Sequence, residues 1–152
     1  LVSSFERFSS DEAPSKIPTI EKALKDLGDV LRCEADKGRS VMILNGIDLA
    51  HVGPRFGDEL ELTPELEKKI ENEDRKSLVD AMALDADGFY RSVVADKHWR
   101  KVCGLSALYT GLRLIKSLGG GAGPGQLLSY GQAPDPAGGV VSFASAIYDA
   151  KN

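Results

Sequence analysis

The sequence is poor in the groups that most often announce chemistry. It holds two cysteines, two histidines and one tryptophan among 152 residues. Cys33 and Cys103 lie far apart, so there is no C-x-x-C pair, and two thiols alone cannot make a zinc site. Each falls on an expected helix. They are either two buried thiols or one disulfide stapling two helices in an oxidising compartment. No apolar run reaches the ~20 residues that a membrane-spanning helix needs. The best stretch, Val102 to Leu118, is interrupted by Arg113 and Lys116. Basic residues are scattered and the net charge is −4, so no face for a phosphate backbone is visible and nucleic acid is not an expected partner.

Familiar catalytic and ligand motifs also fail on specifics. The run Gly119-Gly120-Gly121-Ala122-Gly123-Pro124-Gly125 resembles a phosphate loop in composition only. A phosphate loop follows a strand and opens a helix, whereas this run follows an expected helix and no Gly-Lys-Ser/Thr comes after it. Asp85-Ala86-Asp87-Gly88 resembles the middle of a calcium loop. With Gly88 at position six, the first and twelfth positions are Ala83 and Val94, which cannot ligate calcium. His51 and His98 have no nucleophile elbow near any serine, and ordinary structural or surface roles are expected for both. Glu65, Glu67, Glu71, Glu73 and Asp74 crowd one helix start among Lys68, Lys69, Arg75 and Lys76. That mixture reads as a solvated face rather than a converging acid–base pair. The residues therefore point to no enzyme, no metal and no cofactor.

What is present is helical periodicity. Ile20, Leu24, Leu27 and Leu31 form one stripe, predicting a helix from about Pro18 to Lys37 that stops at Gly38. Thr63-Pro64-Glu65 is a strong helix start, with a capping hydroxyl, a proline at the first position and an acid at the positive end. From there Leu66, Ile70, Leu78, Met82, Phe89 and Val93 continue one long face, bent or broken at Gly88. Asp96 is the expected cap of a further helix over about 97–118. Val41-Met42-Ile43-Leu44 is too short for periodicity to decide. Without a convincing second strand to pair with, it is assigned to a helix.

The expected fold is thus all-α. It is a small bundle of three to four main helices at residues 16–118, with an extended N-terminal arm at 1–15 and a Gly/Pro-rich C-terminal arm at 119–152. Residues 119–139 carry eight of the sixteen glycines, and Val140, Phe143, Ala144 and Ile147 then recur at helical spacing. These arms motivate the first functional expectation, a non-enzymatic docking subunit of a larger protein assembly. Phe5, Phe8, Leu127, Leu128, Tyr130, Val140, Phe143 and Ile147 would contact the partner subunits, because extended arms wrap wide surfaces. The second expectation is a small-ligand binder or enzyme with a cavity between helices, lined by His98, Tyr90, Arg91, Trp99 and Tyr109.

A run from Phe89-Tyr90-Arg91 through Trp99-Arg100-Lys101-Val102-Cys103-Gly104-Leu105 to Ser117-Leu118-Gly119-Gly120 resembles the third-to-fourth-helix region of the small lumenal four-helix subunits of photosystem II. The resemblance implies a subunit without a catalytic centre, located in the plastid thylakoid after removal of a targeting peptide. A start at Leu1 rather than Met fits that expectation. Membrane association would then run through partner subunits, and any pigment contact would follow from the complex.

Overall fold

A computed structural model describes residues 12–119 and 124–148. Four α-helices pack beside a three-stranded antiparallel sheet. The all-α expectation is therefore corrected to a mixed α/β fold. The helices are α1 (Pro18–Asp36), α2 (Pro64–Met82), α3 (Ala86–Val94) and α4 (Leu105–Ser117). The strands are β1 (His51–Val52), β2 (Gln126–Asp135) and β3 (Gly139–Ile147), in the order β1-β3-β2.

The α1 helix follows the predicted bounds closely. Pro18 opens it and Gly38, in the left-handed region at φ 81°, follows its end. Its inner face meets α4 so closely that a β-carbon on Gly28 would stand 2.7 Å from Ser117 Oγ. Arg32 donates to the Ser117 carbonyl at 2.7 and 3.1 Å, satisfying a carbonyl that the end of α4 leaves open. Arg113 of α4 returns a bidentate pair to Glu21 of α1, at 2.7 and 2.8 Å.

The expected helix from Pro64 to beyond Phe89 is two helices. Thr63 Oγ1 accepts from Leu66 N at 3.2 Å, as its capping position predicts. The break falls before Gly88, where Leu84 takes φ 55° and Asp85 accepts from Gly88 N at 2.8 Å to cap α3. The expected helix from 97 is shortened to start at Leu105, and Asp96 caps nothing. It binds Arg100 instead. The main core joins Phe89, Tyr90 and Val93 of α3 to Leu105, Tyr109 and Leu112 of α4 and to Leu78 of α2. A smaller cluster of Ala50, Val52, Ile70 and Val140 fastens the sheet to α2.

The largest corrections concern the strands. Residues 39–50 are extended, not helical. From Val41 to Asp48 the side chains alternate half-buried and exposed, the period of two of an extended chain. The partner that seemed lacking is the C-terminal segment. Residues 140–147, expected as a short helix, form β3, which pairs with β2 from Gln126↔Ile147 to Asp135↔Gly139 and with β1 through His51↔Val141. Gly138, at φ 92°, and the Asp135 side chain, which accepts from Ala137 N at 2.8 Å, close the hairpin. The inner face of β3 places Val140, Ser142 and Ala144 toward the helices, while Phe143 and Ile147 are exposed. Among the described residues no helix is long and apolar enough to cross a membrane.

Candidate functional site

The chemistry-bearing residues gather where the end of the extended segment meets the loop that leads into α4. The His51 N–H donates to the Arg100 carbonyl at 2.7 Å. A β-carbon on Gly104 would stand 2.8 Å from the Asp48 carbonyl. Residues 48–51 therefore run against 100–104, and Cys103 lies between these two points of contact.

His51 is held in a defined orientation. Its Nδ1 lies 3.1 Å from the Leu49 carbonyl, which assigns the ring proton to Nδ1 in the neutral form. Nε2 is then the basic nitrogen, and it faces the Asp48 carboxylate at 3.8 Å. The Phe56 ring packs edge-on against the imidazole, with centroids 5.1 Å apart. Beyond Val52 the chain leaves the sheet through Gly53, at φ 131°. There a β-carbon would stand 2.3 Å from the α-carbon of Gly139, so no other residue fits. Gly53 N donates to Asp58 at 2.9 Å, and Lys101 pairs with the same carboxylate. Burial pushes the Asp58 carboxyl up, but the Gly53 N–H and the Lys101 ammonium outweigh it and hold the group below its ordinary value.

The loop facing His51 is strained. Lys97, His98 and Lys101 all take left-handed φ, at 59°, 58° and 48°, which side chains rarely adopt. Each such residue costs roughly 1–3 kcal/mol and persists only where the surroundings over-determine it. Here the surroundings are Arg100. Its guanidinium is 1% exposed. It donates to Asp74 at 2.7 Å, to Asp96, and to Ser77 Oγ at 3.2 Å. Asp74 accepts in turn from Ser142 Oγ and, at 2.9 Å, from Tyr130 OH. Ser142 Oγ also accepts from Ala50 N at 2.8 Å, one residue before His51. One buried network thus ties α2, all three strands and the loop to the site. Asp96 Oδ1 is buried without a hydrogen-bond partner among the described residues.

The residues expected to matter are dispersed by comparison. Cys33 lies on α1 and Cys103 before α4. Both are exposed, not buried, and no disulfide joins them. Leu127, Leu128 and Tyr130 lie on β2, and Val140, Phe143 and Ile147 on β3. Val140 is buried, whereas Leu128, Phe143 and Ile147 are exposed. Phe5 and Phe8 lie outside the described residues. Of the expected cavity liners, Tyr90 and Tyr109 are core residues with their rings edge-to-face at 6.0 Å. Trp99 lies beneath the Lys69 ammonium at 4.5 Å, and Arg91 and His98 are exposed. These five do not surround one cavity. Among the described residues no three His, Cys, Asp or Glu side chains are grouped to hold a metal.

The model of one protein family, described as Memo-like protein, matches residues 18–147, most of the chain. The chain belongs to the Memo-like family. This overturns the photosystem II resemblance and the expectations built on it: a photosynthetic complex, a thylakoid or plastid setting, pigment contact and a docking subunit of that complex. No curated protein and no solved structure matches the chain. The Memo-like match spans both the helical part and the β2–β3 hairpin.

Proposed function

We propose that this Memo-like chain binds a small molecule at the His51–Cys103 edge and that the groups there serve enzyme chemistry. The observation that carries the reading is the strained loop 97–101, fixed from beneath by fully buried Arg100 and set against His51. Left-handed side-chain-bearing residues held by an over-determined support cluster where geometry must be exact for binding or reaction. His51 would accept or deliver a proton through Nε2, which faces the Asp48 carboxylate. The exposed Cys103 thiol would supply a nucleophile beside it. Lys101, already tied to Asp58, would hold the lip of the site in register.

A thermal-shift screen of the full chain against a panel of small polar metabolites tests this. At least one compound should raise the melting temperature, and His51→Gln and Cys103→Ser should each abolish that rise while leaving the ligand-free melting temperature within a few degrees. A silent panel together with a stable complex formed with another protein would defeat the proposal.

A further inference from the structure

A cavity of about 150 Å³ lies along the extended segment. Its walls are Ile43, Asn45 and Ile47 from that segment, Leu78 and Met82 from α2, and Leu108 from α4. The period-two alternation of residues 41–48 explains the placement: Ile43, Asn45 and Ile47 turn inward to line the cavity, Met42 turns to solvent, and the largely exposed Leu44 stands at the rim. The lining is aliphatic apart from two groups. Tyr148 spends its hydroxyl on the Ala81 carbonyl at 2.9 Å. The Asn45 carboxamide packs on the α4 backbone, where a β-carbon on Gly111 would stand 2.1 Å from its Nδ2. That carboxamide has no hydrogen-bond partner among the described residues. A cavity of about 150 Å³ is large enough to take benzene or xenon.

We infer that this cavity is a binding site for a ring-sized apolar molecule carrying a single hydroxyl or carbonyl, which Asn45 recognises. The aliphatic walls supply burial, and Met82 adapts to the shape of the ring. The unspent carboxamide supplies the polar selectivity, since it can donate and accept at once. The cavity meets the His51–Cys103 edge only at Leu49, whose side chain lines the cavity and whose carbonyl holds His51; Asn45 and the aliphatic walls take no part in the chemistry proposed above.

Titration of the full chain with benzene and with phenol, followed by methyl NMR, reads the site directly. Both should shift the methyls of Ile43, Ile47, Leu78 and Leu108 saturably, with phenol binding several-fold tighter. Asn45→Leu should erase that preference while keeping benzene binding. Ala144→Leu, which fills the cavity from β3, should abolish both. Absence of saturable shifts in the unaltered chain overturns the inference, as does equal binding of the two probes or a phenol preference that survives Asn45→Leu. The titration of the unaltered chain remains decisive even if a variant fails to fold.

Discussion

Replacing Arg100 with methionine should be among the most damaging single changes in the molecule. The Arg100 side chain is 1% exposed, Asp74 0% and Asp96 9%, so solvent cannot re-satisfy the carboxylates that lose it. Removing one partner of a buried ion pair costs about 3–5 kcal/mol, because the remaining charge is left uncompensated. Two carboxylates are stranded here, which places the loss at the upper end of that range. With a urea dependence of about 2 kcal/mol per molar, a loss of about 4 kcal/mol lowers the unfolding midpoint by about 2 M. Equilibrium urea unfolding followed by circular dichroism measures it. A companion variant separates the charge from the packing: Arg100→Met with Asp74→Asn and Asp96→Asn removes the stranded charges. Apolar or neutral replacement of a whole buried ionic group is often close to neutral, so this triple variant should recover most of the loss. A loss below about 1 kcal/mol in the single variant would refute the reasoning, because a buried guanidinium holding two carboxylates cannot be that dispensable.

Two further outcomes follow from the same region. Gly53→Ala should destabilise by at least about 2 kcal/mol, since it adds both a left-handed penalty and a collision with Gly139. Gly38→Ala, left-handed but facing open space, should cost about 1 kcal/mol; equal losses in urea unfolding would show that the Gly139 contact is unimportant. Carboxyl NMR should place the Asp58 midpoint below 3.8, and Lys101→Met should raise it. A carboxyl depressed in the folded chain stabilises it above its unfolded value of about 3.9, and that stability is lost as pH falls through the folded midpoint. An Asp58 midpoint indifferent to Lys101 would remove the ion pair from the account.

The helices were legible because their stripes are made of large aliphatic residues. Ile20, Leu24 and Leu27 fix α1, and the Thr63 cap fixes the start of α2. The strands were not legible, for two physical reasons. On β3 the inner face carries Ser142 and Ala144 while Phe143 and Ile147 face outward, so hydrophobic alternation is inverted. Val140, Phe143, Ala144 and Ile147 then imitate a helical period. The other reason is distance: the segment near Ala50 finds its partner at Ser142, 92 residues away, which no local pattern announces. The site was legible in part. Asp74 was grouped with its acidic neighbours as solvated, yet it stands in phase with Ile70, Leu78 and Ala81 on the buried face of α2. That phase was the available signal for a buried carboxylate needing a cation. His51 gave no such signal, because the residues that orient it, Leu49 by its carbonyl and Arg100 by its own, act through backbone. The expected helix over 97–118 hid the strained loop, since nothing in Lys97-His98-Trp99-Arg100 marks a left-handed turn.

The same separation governs the order in which the molecule can assemble. Helices α2 with α3 and α3 with α4 pair through contacts close in the chain and can form while a nascent chain is still growing, whereas α1 waits for α4. The β1–β3 junction cannot close until residues 139–142 have been made, because β3 is the middle strand. Until then Ala50 and Val52 have no sheet to join, and Asp74 lacks Ser142 and Tyr130. Long-range strand pairing of this kind is slow, and unpaired strand edges invite association between chains. The sheet is therefore the last part of the molecule to become native, and His51 gains its final setting only at that step.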